Sequence, residues 1–280
     1  MNKTELCTLL TELGVHPSRR LGQNFLLDPN LLDALVKGAE LRPGERVLEV
    51  GPGTGVLTSR LLAAGCEVTA VELDWRLAGY IERTYGHLAP HFRLIQGDAC
   101  KQDYAALMGA EPYRCVANLP YSCSSPFLAT MGSLANPPQD MHVLLQKEMA
   151  DRLTAAAHSK DYGVLTVRLA LRYDMTLVRT VPPAVFFPPP DVMSAFVRLR
   201  LRADRPSPAQ WTAAARVATL AFSQRRKQAR RLLSTAYPAA AVAKAFVSAG
   251  LAEGARAEDI TPAQFLQLAA ELSAAGSSNS

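Results

Sequence analysis

Four consecutive residues combine an amide, a proline and an aromatic ring in an order that suits chemistry on a nucleobase: Asn118, Leu119, Pro120 and Tyr121. The exocyclic amine of adenine is a poor nucleophile because its lone pair is delocalised into the ring. The side-chain carbonyl of Asn118 and a backbone carbonyl held rigid beside Pro120 could accept hydrogen bonds from the two N–H groups of this amine. The two bonds would aim the lone pair of the nitrogen at an electrophilic methyl group. Tyr121 could stack on a base that has left its helical stack. The alternative is a structural turn capped by an aromatic residue.

Glycines and acidic residues follow the β-rich runs that precede this motif. Gly51 and Gly53 belong to a G-x-G-x-G turn, Glu72 lies 21 residues after Gly51, and Asp98 follows the next run. Glycines let a backbone approach a ligand closely, and a carboxylate in the place of Glu72 can accept both hydroxyls of a ribose. Each residue alone is explained as well by a tight turn or a helix cap. As an ordered set they predict a nucleoside site at one edge of a sheet.

The runs that must position these residues alternate with helical stretches, which predicts an α/β fold with a parallel sheet covered on both faces. The predicted strands are Arg46–Val50, Val68–Glu72, Phe92–Ile95, Arg114–Ala117 and His142–Leu145, with helices at Val56–Ala64 and up to about Tyr85. Two more strands, at Met175–Val181 and Ala195–Leu201, are close enough in sequence to pair antiparallel. After a Pro-rich break, Ser207 can cap a helix that begins at Pro208. We therefore predict an α/β domain over residues 1–204 and a small helical domain over residues 205–280.

Composition narrows the class of protein. The chain has 280 residues, 49% of them hydrophobic, which is too many for a disordered protein. No apolar run approaches the ~18 residues of a membrane span. The N-terminal residues carry acidic groups and lack the pattern of a secretory signal or a transit peptide. The scattered histidines and five unpaired cysteines indicate no metal site and no disulfide. These features predict a cytoplasmic, metal-free protein that does not associate with membranes.

The positive charge of the chain is local. The net charge is +5, yet residues 205–252 contain eight basic residues and no acidic one, so the remainder is slightly acidic. Five of these cations fall within seven residues: Arg225, Arg226, Lys227, Arg230 and Arg231. A cationic cluster without acidic neighbours favours a nucleic-acid contact. A solvated helix face is the alternative.

Taken in order, the motifs resemble the rRNA adenine N6,N6-dimethyltransferases, and among them the small-subunit enzyme that dimethylates two adjacent adenosines near the 3′ end of the rRNA. The resemblance covers nearly the whole chain. It is carried by residues 21–26, 51–55, 57–58, 72–74, 97–99, 118–122, 146–150, 152, 161–163, 186, 188, 190, 221–222 and 225–227. The chain departs from the family pattern at four positions: Ser122, Cys123, Asp191 and Met193.

The resemblance implies S-adenosylmethionine as the methyl donor, no metal, and a monomer that acts on small-subunit rRNA in the immature ribosomal subunit. The residues that it assigns to the cofactor are Asn24, Leu26, Gly51, Gly53, Glu72, Asp98 and Asn118. It assigns the target base to Asn118 and Pro120, with Tyr121 and Phe186 stacking on it, and the RNA backbone to the cationic cluster.

Three alternatives remain open from the sequence. A resistance-type methyltransferase that acts on large-subunit rRNA shares the fold and the Asn118 motif. A non-catalytic RNA-binding or transcription factor on the same fold is disfavoured by the intact Gly51, Glu72, Asp98 and Asn118. A DNA adenine methylase usually has an acidic residue in the place of Asn118.

Overall fold

A seven-stranded mixed sheet forms the centre of the computed structural model, which describes residues 1–18, 21–224 and 226–277. With strands numbered in chain order, the sheet has the order β4-β3-β2-β5-β6-β9-β7, and β1 pairs with β8 in a separate ribbon. The strands are β1 (Phe25–Leu26), β2 (Arg46–Val50), β3 (Glu67–Glu72), β4 (Phe92–Gln96), β5 (Arg114–Asn118), β6 (Asp140–Gln146), β7 (Tyr173–Val181), β8 (Phe186–Phe187) and β9 (Ser194–Leu201).

Strands β2 to β6 all run parallel to one another, whereas β9 runs antiparallel to β6. The predicted α/β class is confirmed, and the two late strands β7 and β9 lie side by side as expected. The central strands are buried along almost their whole length, with Val47, Leu48 and Val116 at 0% exposure. Burial on both faces explains why these strands are continuous apolar runs rather than alternating ones.

Twelve α-helices fall within the described residues. They are α1 (Lys3–Glu12), α2 (Pro29–Gly38), α3 (Val56–Ala63), α4 (Trp75–Tyr85), α5 (Tyr104–Met108), α6 (Ser124–Ser133), α7 (Lys147–Leu153), α8 (Val164–Ala170), α9 (Pro208–Ala221), α10 (Ala229–Leu233), α11 (Ala239–Ser248) and α12 (Pro262–Ser277). Ser207 caps α9 and Pro208 is its first residue, as predicted. None of the described helices is both long and apolar enough to cross a membrane.

The ribbon of β1 and β8 fixes the segment that precedes the sheet. Phe25 is opposite Phe187, and Leu26 is opposite Phe186. Phe25 packs with Leu6 and Leu10 of α1, while Leu26 and Phe186 belong to an apolar core of the first unit. Hydrophobic packing on both sides therefore holds a ribbon of only two residues per strand.

The chain forms two compact units. One comprises Met1–Ala150 and Thr176–Arg200, and the other comprises Asp151–Met175 and Leu201–Ser280. The longer stretch of the second unit begins at Leu201, and the unit also includes Asp151–Met175, a segment that the prediction gave to the first domain. The reason is packing, because Tyr162 and Val167 belong to the same apolar cluster as Trp211. The Tyr162 hydroxyl also donates to the Ile260 carbonyl at 2.9 Å.

Candidate active site

A cavity of about 290 Å³ lies in the first unit, where β2, β3, β4 and β5 end. Small-molecule sites typically occupy ~300–1,000 Å³ and favour the carboxyl edge of such sheets. The residues that the sequence predicted for this site and that line the cavity are Asn24, Leu26, Gly51, Gly53, Glu72, Asp98, Asn118, Pro120 and Tyr121. The structure therefore brings together every predicted cofactor residue and three of the four predicted base-contacting residues.

The glycine turn after β2 lies directly against the Asn118 motif. Gly51 has a φ of 68°, a conformation that side chains disfavour. A Cβ atom on Gly51 would also lie 2.9 Å from Pro120 Cγ. Only glycine adopts this positive φ without strain and also leaves room for the proline ring. The turn thus leaves space for a ligand on one side while it contacts the proline on the other.

Glu72 ends β3 with its carboxylate already hydrogen-bonded. Oε2 accepts from the Gly53 N–H at 3.1 Å, and Oε1 accepts from the Asp74 N–H at 2.9 Å. The side chain is 5% exposed, and this burial raises the pKa of Glu72 although the backbone bonds oppose the shift. A carboxylate has about four acceptor positions, so both oxygens can accept further bonds. Glu72 is therefore fixed in place and can still bind a diol.

Asp98 lies in the turn after β4. Its Oδ1 accepts from the Cys100 N–H at 2.8 Å, and Lys101 Nζ lies 3.8 Å from Oδ2. The side chain is about one-third exposed, in contrast to that of Glu72. Asp98 can therefore accept a hydrogen bond from a ligand in the cavity.

Asn118 ends β5, and its amide has a defined orientation. Nδ2 donates to the Asn24 carbonyl at 3.1 Å, which leaves the side-chain oxygen as an acceptor. The Pro120 carbonyl already accepts from the Cys123 N–H at 3.0 Å and the Ser124 hydroxyl at 3.1 Å. The Leu119 carbonyl is thus the backbone acceptor that remains beside the proline. Two acceptors therefore follow each other in sequence, at Asn118 and Leu119.

Tyr121 is anchored through its hydroxyl. The Tyr121 hydroxyl lies 2.5 Å from the hydroxyl of Ser194, a fully buried residue at the start of β9. Burial raises the pKa of Tyr121, and the hydrogen bond to Ser194 opposes the shift. A tether at this end limits the tilt of the ring, as a stacking surface requires.

Phe186 is the predicted base-contacting residue that does not line the cavity. It is 3% exposed and packs in the apolar core of the first unit, opposite Leu26 in the ribbon. Its stacking on a base stays a prediction.

Glu49 lines the cavity, although its sequence context did not predict it as a site residue. It is 1% exposed near the end of β2, and Thr58 Oγ1 lies 2.7 Å from its Oε2. Burial, strengthened by the nearby Glu72, raises the pKa of Glu49 to about 8. The available signal was an acidic residue inside an apolar run, directly before the glycine turn.

The predicted RNA-binding cations belong to the second unit. Arg226, Lys227 and Arg231 are exposed, whereas Arg230 Nη1 lies 2.5 Å from Glu253 Oε1. Arg225 lies outside the described residues. Contact of this cluster with RNA stays a prediction.

Comparison with known proteins decides the family. Residues 16–274 match the family model described as ribosomal RNA adenine dimethylase. The chain belongs to this family. The resemblance inferred from the motifs is thereby confirmed.

Individual proteins are similar to this one along most of the chain. Ribosomal RNA small subunit methyltransferase A from Phenylobacterium zucineum is 41% identical over 256 residues, which cover 91% of this chain and 88% of that protein. A dimethyladenosine transferase from Plasmodium falciparum has the same fold, with a TM-score of 0.75 and 24% identity. The match covers 90% of this chain and 98% of that one. The 23S rRNA methyltransferase ErmE superposes with a TM-score of 0.67 at 29% identity, covering 89% of this chain and all of that one. Within the described part of the chain, no group of three or more His, Cys, Asp or Glu side chains could hold a metal ion.

Proposed function

We propose that this protein transfers methyl groups from S-adenosylmethionine to N6 of two adjacent adenosines near the 3′ end of small-subunit rRNA, giving N6,N6-dimethyladenosine. The observation that carries the proposal is the hydrogen bond from Asn118 Nδ2 to the Asn24 carbonyl, because it orients the Asn118 oxygen as an acceptor in the cavity wall. The 41% identity to a small-subunit methyltransferase over nine-tenths of the chain supports small-subunit rRNA as the substrate.

The cavity fits S-adenosylmethionine. A backbone without Cβ atoms at Gly51 and Gly53, a buried diol acceptor at Glu72 and a partly exposed carboxylate at Asp98 match the nucleoside part of the cofactor. Asn24 and Leu26 supply the wall from the N-terminal segment, and Asn118 completes it. When bound, the cofactor supplies an electrophilic methyl group.

The role of the Asn118 motif is to position the target amine. Asn118 Oδ1 and the Leu119 carbonyl accept the two N–H bonds of adenine, which favours a pyramidal nitrogen with its lone pair available. Pro120 keeps the second carbonyl rigid, and Tyr121 and Phe186 hold the base by stacking. No general base is required, because the methylated amine cation is acidic enough to lose its proton to water.

The second unit supplies affinity for RNA. The cationic cluster contacts phosphates of the immature small subunit through Arg225, Arg226, Lys227, Arg230 and Arg231. Such contacts do not read the base sequence, but they fix the position of the enzyme on its substrate. The protein acts as a monomer in the cytoplasm, where ribosomes are assembled.

A large-subunit target is the second candidate, and the likeness to ErmE is the observation that favours it. The experiment uses tritiated S-adenosylmethionine and small subunits from a strain that lacks this methylation, followed by mapping of the labelled bases. Dimethyladenosine at two adjacent small-subunit positions supports the proposal. Label on naked large-subunit rRNA alone would instead support the second candidate. Cofactor binding without label on any RNA would favour the non-catalytic RNA-binding protein over both enzymes.

A further inference from the structure

Four neighbouring strands each place a polar side chain in the cavity wall, and the order of the strands puts these side chains in a row. Along β4-β3-β2-β5 they are Asp98, which follows β4, then Glu72, Glu49 and Asn118. In the proposed function, Asp98 faces the adenine of the cofactor, Glu72 holds the ribose and Asn118 orients the amine that accepts the methyl group. Glu49 therefore lies between the ribose and the reacting methyl group, where S-adenosylmethionine has its sulfonium and amino-acid groups.

The cavity wall is acidic. Its described residues include four carboxyl groups, at Glu49, Glu72, Asp74 and Asp98, and no lysine, arginine or histidine. Asp74 caps α4, and the Glu72 carboxylate accepts from two backbone N–H groups. Glu49 is the most deeply buried of the four at 1% exposure, and the partner at 2.7 Å from its Oε2 is the neutral hydroxyl of Thr58. A positively charged ligand therefore suits this wall, and Glu49 in particular.

The titratable groups that face Glu49 bring no positive charge. They come from three elements: Glu72 on β3, Cys115 on β5 and Tyr85 on α4. A buried carboxyl group without a cation beside it favours its neutral form, and a second carboxyl group nearby strengthens this preference. Accordingly, burial and the nearby Glu72 raise the pKa of Glu49 to about 8. Glu49 is thus a carboxylic acid at neutral pH before a ligand enters the cavity.

We propose that Glu49 is the counter-ion of the positively charged end of S-adenosylmethionine and that it releases a proton to solvent when this cofactor binds. A cation beside a carboxyl group favours the ionised form. The O–H bond of the Glu49 acid breaks, the proton passes to the buffer, and the remaining carboxylate forms an ion pair with the cofactor. One proton leaves for each cofactor that binds. The identity of the cofactor rests on the proposed function.

The test is calorimetry of the wild-type protein at about pH 6.5 in phosphate, PIPES and imidazole buffers, which differ in their enthalpy of ionisation. The slope of the observed binding enthalpy against the buffer enthalpy gives the number of protons released. We expect about one proton for S-adenosylmethionine. The control ligand is 5′-deoxy-5′-methylthioadenosine, which has the same nucleoside and a neutral thioether but no sulfonium and no amino acid. We expect no proton release with this ligand.

The pH dependence of cofactor affinity assigns the proton to its residue. When one proton is released for each ligand, the affinity rises by about 10-fold per pH unit below the pKa of the group in the ligand-free protein. We expect this rise for S-adenosylmethionine between about pH 5.5 and 7 in the wild type. Glu67→Gln, which replaces an exposed carboxyl group on β3, should keep it. Glu49→Gln cannot ionise, so its affinity should not change over this range.

Two results would overturn the proposal. The first is a slope near zero for S-adenosylmethionine in the wild type, a measurement that does not depend on the stability of Glu49→Gln. The second is equal proton release with 5′-deoxy-5′-methylthioadenosine, because the proton would then come from Glu72, which faces the uncharged ribose. Methyl transfer to small subunits tests the proposed function separately. Proton release without methyl transfer would refute that function and support Glu49 as the counter-ion, whereas methyl transfer without proton release would refute only the role of Glu49.

Discussion

Gly22 approaches Tyr121 so closely that a Cβ atom on Gly22 would lie 2.8 Å from the Tyr121 backbone nitrogen. Gly22 has a φ of 65°, and the next contact along the segment is made by Ser122 Oγ, which donates to the Leu21 carbonyl at 3.2 Å. The N-terminal segment and the methyl-transfer motif therefore meet backbone to backbone. This contact holds the Asn24 carbonyl where it can accept from Asn118.

Substitution of Gly22 by alanine tests this contact. The new Cβ forces the two segments apart and also strains the backbone, so we expect Gly22→Ala to lower the free energy of unfolding by about 1–3 kcal/mol. Methyl transfer falls by about 10-fold or more, because Asn118 loses its orientation. Gly44→Ala is the matched control, since Gly44 has a φ of 81° with nothing within 4 Å of its Cβ position. Equal losses of methyl transfer in the two variants would contradict the role of the contact.

The side chain of Asn118 is expected to matter for transfer more than for cofactor binding. In Asn118→Ala the amine of the target base loses one of its two acceptors, which costs about 10²–10³-fold in rate. The affinity for S-adenosylmethionine, measured by calorimetry, falls much less. Asn136→Ala serves as the control, because it removes an asparagine whose Nδ2 donates to the exposed Gly109 and Glu111 carbonyls, away from the cavity lining. Retention of turnover in Asn118→Ala would refute the positioning mechanism.

Glu49 makes stability depend on pH. Burial raises the pKa of Glu49 in the folded protein from 4.5 to about 8, so between these values the folded state holds a proton that the unfolded state has released. Stability therefore falls as the pH rises from 4.5 to 8 and the contribution levels off above 8, an effect on the order of a few kcal/mol.

Glu49→Gln keeps a neutral side chain at every pH and removes this dependence. Urea unfolding at several pH values is expected to show that the variant gains stability over the wild type as the pH rises from 5 to 8. Glu67→Gln, an exposed position on β3, controls for the loss of a carboxylate. A difference between Glu49→Gln and the wild type that does not change with pH would show that Glu49 is ionised in the folded protein.

The salt dependence of RNA binding separates the two exposed cations Lys227 and Arg231 from the ion-paired Arg230. Lys227 and Arg231 are exposed, so Lys227→Ala and Arg231→Ala should each lower the slope of log affinity against log salt by about 0.7–1. Arg230→Ala should have a smaller effect, because Glu253 neutralises this guanidinium at 2.5 Å. Lys37→Ala, on α2 of the first unit, is the control. A loss in Arg230→Ala equal to that in Arg231→Ala would show that the Glu253 ion pair opens when RNA binds.

The parts of the site that could be predicted from the sequence are those formed by residues near one another in the chain. Glu72 and Asn118 end strands, and the glycine turn and Asp98 follow strands, that their own apolar runs predict. Parallel strands bring their carboxyl ends to one edge. The bond from Asn118 to Asn24 and the tether from Tyr121 to Ser194 were not predictable, because they depend on how distant segments pack. The ribbon of β1 and β8 was missed for the same reason, since two residues carry no periodicity.

The pairing of Phe25–Leu26 with Phe186–Phe187 also has a consequence for the order in which the protein matures. The partners are about 160 residues apart in the sequence, so the ends of a long loop must meet before the ribbon can form. During synthesis, the N-terminal segment that supplies Asn24 to the cavity must wait until β8 has left the ribosome. An enzyme that modifies ribosomes thus acquires its complete active site only when the ribosome that makes it has finished most of the chain.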